Sequence, residues 1–265
     1  IRSPAKDEGV TEAPTRVDPH VKVLTEGVVA RAKARGLDAL VYAPHFRRLP
    51  EIRARAERAS DEELTVIPGR EVFTGSWRTR KHVLAVGLTD PVPDFITLEG
   101  AMAAFARQDA AVLVPHPAFL TVSLTPADLR TYRDRIHAVE TYNPKHWPHH
   151  NRRARGLQAD LGVPAFGSSY AHLGGTVGEV WTAFPGIDPA EAAIVDALRT
   201  GRPRSIERRR GTGHEARCTL EFAHLFAENT WKKFDRVVLS GMEATHPDHP
   251  AYDGRFDDVR AYAGR

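Results

Sequence analysis

The stretch Pro68 to Leu88, PGREVFTGSWRTRKHVLAVGL, predicts a β-hairpin. One strand ends in Arg70-Glu71-Val72-Phe73, Gly75 sits in the turn, and His82-Val83-Leu84-Ala85-Val86 returns. The two strands are expected to carry Glu71 and His82 to one side of the sheet. A carboxylate can bridge two hard or borderline cations, and a neutral imidazole can complete one of them. A lone Glu and His prove little, because such residues commonly sit on surfaces or in satisfied cores. Here, however, His20, His45, His116 and His172 stand at further strand ends.

Working outward, strands and helices alternate. Arg16 to Val23 reads as a first strand, followed by a helix from Glu26 to Arg35 with Thr25 as its N-cap and Gly36 as its stop. Leu37 to Ala43 is a buried-looking strand ending at Pro44-His45, and Leu49 to Ala59 is an Arg-rich helix. Beyond the hairpin, Leu98 to Gln108 is helical and Ala110 to Val114 is a strand ending at Pro115-His116-Pro117. Thr125-Pro126 opens another helix, Ile136 to Asn143 is a strand, and Asn151 to Leu161 is a helix. Val163 to Gly167 leads into Ser168-Ser169-Tyr170-Ala171-His172, Val177 to Phe184 is a strand, and Pro189 to Arg199 is a helix. Such alternation, with metal-capable residues at strand ends, is the pattern of βαβ units closing into a barrel whose C-terminal strand ends carry the chemistry. The expected organisation is an arm over 1–15, a barrel over 16–205 and an extension over 206–265 packed on the barrel. Within that extension, 207–211 reads as a basic turn and Glu215 to Phe234 as a helix packed through Trp231 and Phe234. Thr245 to Pro250 reads as a Pro-stiffened strap.

Composition bounds the class. With 265 residues, 42% hydrophobic and 27% charged, the chain can bury a substantial core and is not of disordered type. No apolar run approaches the roughly 20 residues that span a bilayer, and the N-terminal stretch has no apolar signal segment, so a cytoplasmic location is expected. A single cysteine, Cys218, excludes an internal disulfide and a cysteine-based zinc cage. A net charge of +3 permits a polyanionic substrate without demanding one, and 13 histidines supply candidate ligands and proton shuttles.

The order and spacing of Asp18-Pro19-His20, Pro44-His45, Pro68-Gly69-Arg70-Glu71, Lys81-His82, Val114-Pro115-His116-Pro117 and Ser168 to His172 resemble the PHP (polymerase and histidinol phosphatase) family. Gly36-Leu37-Asp38-Ala39-Leu40 and the run from Gly162-Val163-Pro164 through Gly178 add to the match, which spans roughly 16–205. The resemblance implies a distorted seven-stranded (β/α) TIM-like barrel and a metal centre that hydrolyses phosphate esters. It implies His20, His45, Glu71, His82, His116 and His172 as metal ligands, with Glu71 bridging, and divalent Zn, Mn or Fe as cofactor. The departures from the family pattern are Lys22 at the second His of the opening motif, Pro44 in place of Asp, and Ser169-Tyr170 where a late Asp is expected. The Ser-rich loop that usually follows the opening motif is also deleted. An ammonium repels a nearby cation by several kcal/mol at an effective dielectric near 20, so one ion site is expected to be lost, leaving one or two.

With such an ion, Glu71, His172 and Lys22 are the candidate catalytic residues, His172 or His45 protonating the leaving oxygen. Lys22, Arg70, Lys145 and Arg152 are the candidate phosphate-binding cations. The Arg152-Arg153-Arg155 cluster reads more simply as a solvated helix face than as a nucleotide-attracting patch, and His146, His149 and His150 more simply as an exposed His-rich turn than as a substrate lid. Expected partners are a phosphorylated small molecule or a nucleic-acid fragment, with no membrane. The alternative is a PHP-derived barrel that has lost catalysis and binds, for instance, RNA.

Overall fold

The computed structural model describes residues 13–76, 79–119, 122–234 and 244–261, the side chains of 225–234 excepted. The sheet contains β1 (Thr15–Val21), β2 (Ala39–Tyr42), β3 (Thr65–Thr74), β4 (Lys81–Val86), β5 (Ala111–Val114), β6 (Ala138–Tyr142), β7 (Ala165–Gly167), β8 (Val180–Phe184) and β9 (Ser205–Arg208). Between them run α1 (Glu26–Ala34), α2 (Leu49–Ala59), α3 (Leu98–Ala106), α4 (Pro126–Thr131), α5 (Pro148–Leu161) and α6 (Glu191–Arg199), and α7 (Thr212–Phe234) follows β9.

The spatial order is β7-β6-β5-β4-β3-β2-β1-β8-β9. Strands β1–β2–β3 and β5–β6–β7 pair in parallel, whereas β4 is antiparallel to both neighbours and β8 to both β1 and β9. The ends of this sheet approach one another. Val21 bridges Ala171, the Lys22 amide donates to the Ala171 carbonyl at 2.8 Å, and the Gly167 amide donates to Thr182 Oγ1 at 3.1 Å. The architecture is therefore mixed α/β around a nearly closed, barrel-shaped sheet. The simple seven-strand count is exceeded by β8 and β9. The basic turn expected over 207–211 begins instead as β9, which straddles the 205/206 boundary.

Alternation along the strands sets two layers. Ala39, Val41, Ile67, Leu84, Leu113 and Phe166 fill the interior together with Ile194, Ala197 and Leu198 of α6. Leu40, Tyr42 and Val66 face outward onto Val28 and Ala32 of α1 and Ile52 and Ala56 of α2. Val72, Val83 and Ala85 pack outward against Ala101, Met102 and Phe105 of α3. Inward-facing Gly69 is small by necessity, since a Cβ there would lie 2.5 Å from Val41 Cγ1. Helix starts follow their caps: Thr25 accepts from the Val28 amide, and Thr125 with Asp128 forms a capping box.

The strap expected over 245–250 lies against the barrel. The Thr245 carbonyl accepts from the Asp94 amide at 2.8 Å, and Ile96 bridges Arg260. Most of the expected N-terminal arm, 1–12, and the side chains of Trp231 and Phe234 lie outside the described residues. No helix among the described residues is long and apolar enough to cross a membrane.

Candidate metal centre

The hairpin forms as its sequence predicts, with Glu71 opposite Leu84 and Phe73 opposite His82. Residues facing each other across a ladder share a face, so Glu71, Phe73, His82 and Leu84 all point inward. Because β4 runs antiparallel, its first residues lie at the same barrel end as the C-termini of the parallel strands. That is why His82 begins a strand whereas His45 and His116 follow one. On β1 the pairing with β2 shifts register between Asp18 and Val21, around Pro19, which has no amide to give to the ladder. His20 and Lys22 enter the site from this irregular end.

Glu71 is fully buried at the centre of the cluster. Its Oε1 lies 3.5 Å from His20 Nε2, 3.4 Å from His82 Nδ1 and 3.3 Å from His116 Nε2. Its Oε2 lies 2.6 Å from Lys22 Nζ and 3.0 Å from His45 Nδ1. The Lys22 ammonium also donates to the Ala43 carbonyl at 2.6 Å. Burial by itself would raise the Glu71 pKa, but Lys22 and the surrounding imidazoles hold it well below the usual carboxylate range. Burial pulls His20, His82 and His45 down, His45 to about 3, so these rings are neutral at pH 7. Lys22 is likewise lowered by burial, to about 8, against the opposing pull of Glu71.

Both ring nitrogens of His20 and of His82 are buried without a hydrogen-bond partner, as is His45 Nδ1. Orphaned neutral imidazoles beside an ionised carboxylate are the donor set of a borderline divalent cation. Edges of a tetrahedron of zinc–ligand bonds near 2.1 Å measure about 3.4 Å, which matches the spacing from Glu71 Oε1 to the three imidazoles. Glu71, His82 and His116 by themselves have ligand atoms mutually within 4.8 Å. The residues therefore fit a divalent ion on the Oε1 side, while an ammonium occupies the Oε2 side.

His172 stands apart from this lobe. Its ring is 5.8 Å from that of His45, and its Nδ1 lies 3.1 Å from Lys145 Nζ. Lys145, buried and lowered to about 8 by desolvation, also reaches the Tyr170 carbonyl and, at 3.1 Å, Glu221 Oε1. The structure corrects one of the expected phosphate ligands. Arg70 neighbours Glu71 on β3 and so points outward. It is fully buried and pairs with Asp94 at 2.9 Å, which leaves it no route to a substrate. Arg152 is exposed on the first turns of α5. The His-rich turn is also corrected: α5 begins at Pro148, taking in His149 and His150, and His146 is buried with its ring 4.1 Å from Phe119.

Several residues to which the sequence reading gave no role surround the cluster. Glu140, a lone carboxylate in the strand Ala-Val-Glu-Thr-Tyr, accepts from the His116 amide at 2.7 Å, Ser168 Oγ at 2.6 Å and Asn143 Nδ2 at 3.1 Å. Asp18 accepts the Ser169 and Gly178 amides, each at 3.0 Å, and is raised to about 6 by burial. Phe46, His116, Ala118 and Tyr170 take positive φ in the loops after β2, β5 and β7. Backbone strain is thus concentrated around the cluster, as at functional sites generally. A polar residue isolated in an apolar strand was the only signal for Glu140. The local sequence carried none for Glu221, on α7.

The PHP-associated family model (PHP_C) matches residues 148–203. No curated protein matches the sequence. Among solved structures, PsfC from Pseudomonas syringae PB-5123 is similar with a TM-score of 0.60 and 18% identity, over 82% of this chain and 99% of that one. A two-domain protein from Bacteroides vulgatus containing a predicted PHP-like metal-dependent phosphoesterase has a TM-score of 0.57 at 17% identity, over 82% of this chain and 74% of that one. The lesion-specific endonuclease PfuEndoQ from Pyrococcus furiosus has a TM-score of 0.56 at 17% identity, over 72% and 57% respectively. At these identities the structural likeness is one of fold. Residues 148–203 thus match a PHP-associated family model, and the chain shares its fold with a protein containing a predicted PHP-like phosphoesterase.

Proposed function

We propose that the protein is a metal-dependent hydrolase of phosphate esters, acting on a nucleotide, a short oligonucleotide or a small phosphorylated metabolite. The observation that carries this reading is the ring of His20, His82 and His116 around Glu71 Oε1, with the ring nitrogens of His20 and His82 unpartnered. A divalent ion held there supplies a water of lowered pKa and polarisation of the phosphoryl oxygen. The chain's own groups do the rest. Lys22 spends two of its three N–H donors on Glu71 and Ala43, and the third is available to a phosphoryl oxygen. His45, whose side chain is 18% exposed where those of His20, His82 and His116 are at most 6%, lies on the side from which a substrate enters. Glu140 fixes the His116 backbone, and Ser123 lies 3.1 Å from His116 Nδ1, so Nε2 is left facing Glu71.

The test is metal analysis with hydrolysis of bis(p-nitrophenyl) phosphate and p-nitrophenyl phosphate before and after chelation. The expected result is about one ion per chain, activity lost on chelation and regained with Mn²⁺ or Zn²⁺, and no activity in Glu71→Ala or His116→Ala. Activity persisting in both variants removes the reading. Lys22 favours the second one, a binding barrel without catalysis, because its ammonium already balances Glu71. That outcome is marked by no metal, no turnover after metal addition, and RNA binding with a steep salt dependence.

A further inference from the structure

The arginines at the end of β9 have no part in the metal centre, yet their surroundings are not those of a solvated basic run. Because β9 is antiparallel to β8, and β8 to β1, β9 runs in the direction of β1 and ends at the same barrel end as the Glu71 cluster. There Arg208 and Arg210 line an open cavity of about 430 Å³, together with Thr141 and Tyr142 at the end of β6, Arg155 on α5, and Glu207. Of the three arginines clustered on α5, Arg155 is the one in the lining. Thr141 and Tyr142 follow Glu140, so the cavity lies against the strand end whose carboxylate fixes the His116 backbone. The Arg208 guanidinium is held in place. It lies over the Tyr142 ring, 4.7 Å from the centroid, and donates to the Tyr142 hydroxyl. Arg155 and Arg210 are exposed, and among the described residues none of the three arginines has a carboxylate partner. Glu207 is the one carboxylate of the lining, so positive charge is in excess.

We propose that this cavity is an anion site, separate from the Glu71 centre, for neighbouring phosphate groups such as those of a nucleoside polyphosphate or of a short single-stranded backbone. Guanidinium suits that ligand because its planar fork of N–H donors pairs phosphate oxygens two at a time. The volume, about 430 Å³, lies in the range of small-molecule sites, and the arginines select an anion over an apolar occupant. Arg155 comes from α5, whereas Arg208 and Arg210 come from β9 and its end. The charges thus stand on two walls, which suits a ligand with more than one phosphate group. Binding here does not rest on the phosphoesterase reading. On that reading, the place of the cavity beside β6 favours substrates that carry phosphates beyond the one hydrolysed.

The experiment measures binding to the full metal-free chain. Calorimetric titration uses inorganic tripolyphosphate, ATP and inorganic phosphate, and fluorescence anisotropy uses a labelled oligothymidylate of about eight nucleotides. Tripolyphosphate is expected to bind more tightly than inorganic phosphate. Arg155→Ala, Arg208→Ala and Arg210→Ala are each expected to weaken binding by about 10-fold, the scale of one lost hydrogen bond to a charged group. With the oligonucleotide, each should also lower the slope of log affinity against log salt by about one. Arg58→Ala removes an exposed arginine of α2 outside the cavity and is expected to leave affinity within about 2-fold. Arg208→Ala also gives up packing on Tyr142, so Arg155→Glu, at an exposed residue, is the second variant and is expected to abolish binding. Polyphosphate binding alone, sensitive to the three arginines, assigns the cavity to a small polyphosphate; tighter oligonucleotide binding with the same sensitivity assigns it to a backbone. No binding of either overturns the proposal, as do equal losses in Arg58→Ala, intact affinity in the cavity variants, or inorganic phosphate binding as tightly as tripolyphosphate. A wild type that binds through these arginines but has no turnover on bis(p-nitrophenyl) phosphate when metal-loaded upholds the cavity while the phosphoesterase reading fails.

Discussion

Lys22 is the residue on which the chemistry of this centre turns, and Lys22→Met is its most informative perturbation. In the native site its ammonium is 2.6 Å from Glu71 Oε2, with both side chains almost wholly out of water. At an effective dielectric near 20, that separation corresponds to a gross attraction of about 6 kcal/mol. Much of it is offset by desolvation, as the fall of Lys22 to about 8 shows. The pair adds little net stability, yet breaking it is costly, because a buried carboxylate then loses the fixed cation beside it. A loss of about 3–5 kcal/mol is expected for Lys22→Met, or a Tm lower by roughly 10 °C in a chain of this size. Two further results are expected from the same cause. Adding Glu71→Gln to Lys22→Met removes the orphaned charge and restores most of the stability. Adding Zn²⁺ or Mn²⁺ to the single variant stabilises it more than it does the wild type, because Oε2 is now open to a cation. Urea unfolding and thermal melts with and without metal, together with metal analysis, read all three. If the single variant is as stable as wild type, or the double variant as unstable as the sum of its parts, Lys22 is not the counter-charge of the centre.

Asp18 makes a pH prediction. Its carboxyl is raised to about 6 by burial, above its ordinary 3.8, so the folded state holds the proton more tightly than the unfolded chain. The Asp18 contribution to stability is therefore greatest near pH 4 and falls by about 3 kcal/mol as pH rises through 6. The stability difference between wild type and Asp18→Asn is expected to track that fall in urea unfolding from pH 4 to 7; a pH-independent difference removes the assignment. Arg70→Ala leaves Asp94 buried without its cation and is expected to cost about 3–5 kcal/mol. Metal content should be unchanged in that variant, so a lost metal with intact stability would return Arg70 to the site.

How much of this was legible in the sequence depends on the range of the interaction. The hairpin was readable because period-2 alternation and a Gly75 turn are local, and the same alternation put Glu71 and His82 on one face. The Pro-His signals after β2 and β5 marked strand ends for the same reason. Arg70 was misjudged because proximity in sequence was taken for proximity in space, whereas neighbouring strand residues face opposite ways and Arg70 finds Asp94 in the outer layer. β9 was missed because Ser205–Arg208, half-exposed and charged, has no apolar face. It is a strand because β8 offers it a ladder. Glu221 lies 49 residues from His172 on a helix outside the recognised span, and no local pattern encodes a contact of that range.

The changes at the centre make physical sense together. A carboxylate surrounded by neutral imidazoles must be neutralised, and two ions or one ion and a fixed cation both achieve it. Once Lys22 occupies the Oε2 side, aspartates that would hold a second ion become uncompensated buried anions. Each would cost several kcal/mol, so Pro44 and the Ser169-Tyr170 pair are the substitutions an ammonium at this position calls for. The remaining negative charges near the site are spent on other work. Glu140 takes an amide and two side-chain donors, and Glu221 takes Lys145 and the His172 loop. What is left facing Glu71 Oε1 is a set of imidazole nitrogens with room in their bonding for a cation. On the proposed phosphoesterase reading, a site so balanced offers the substrate a fixed positive charge whether or not the ion is bound, and substrate binding and metal binding become separable steps.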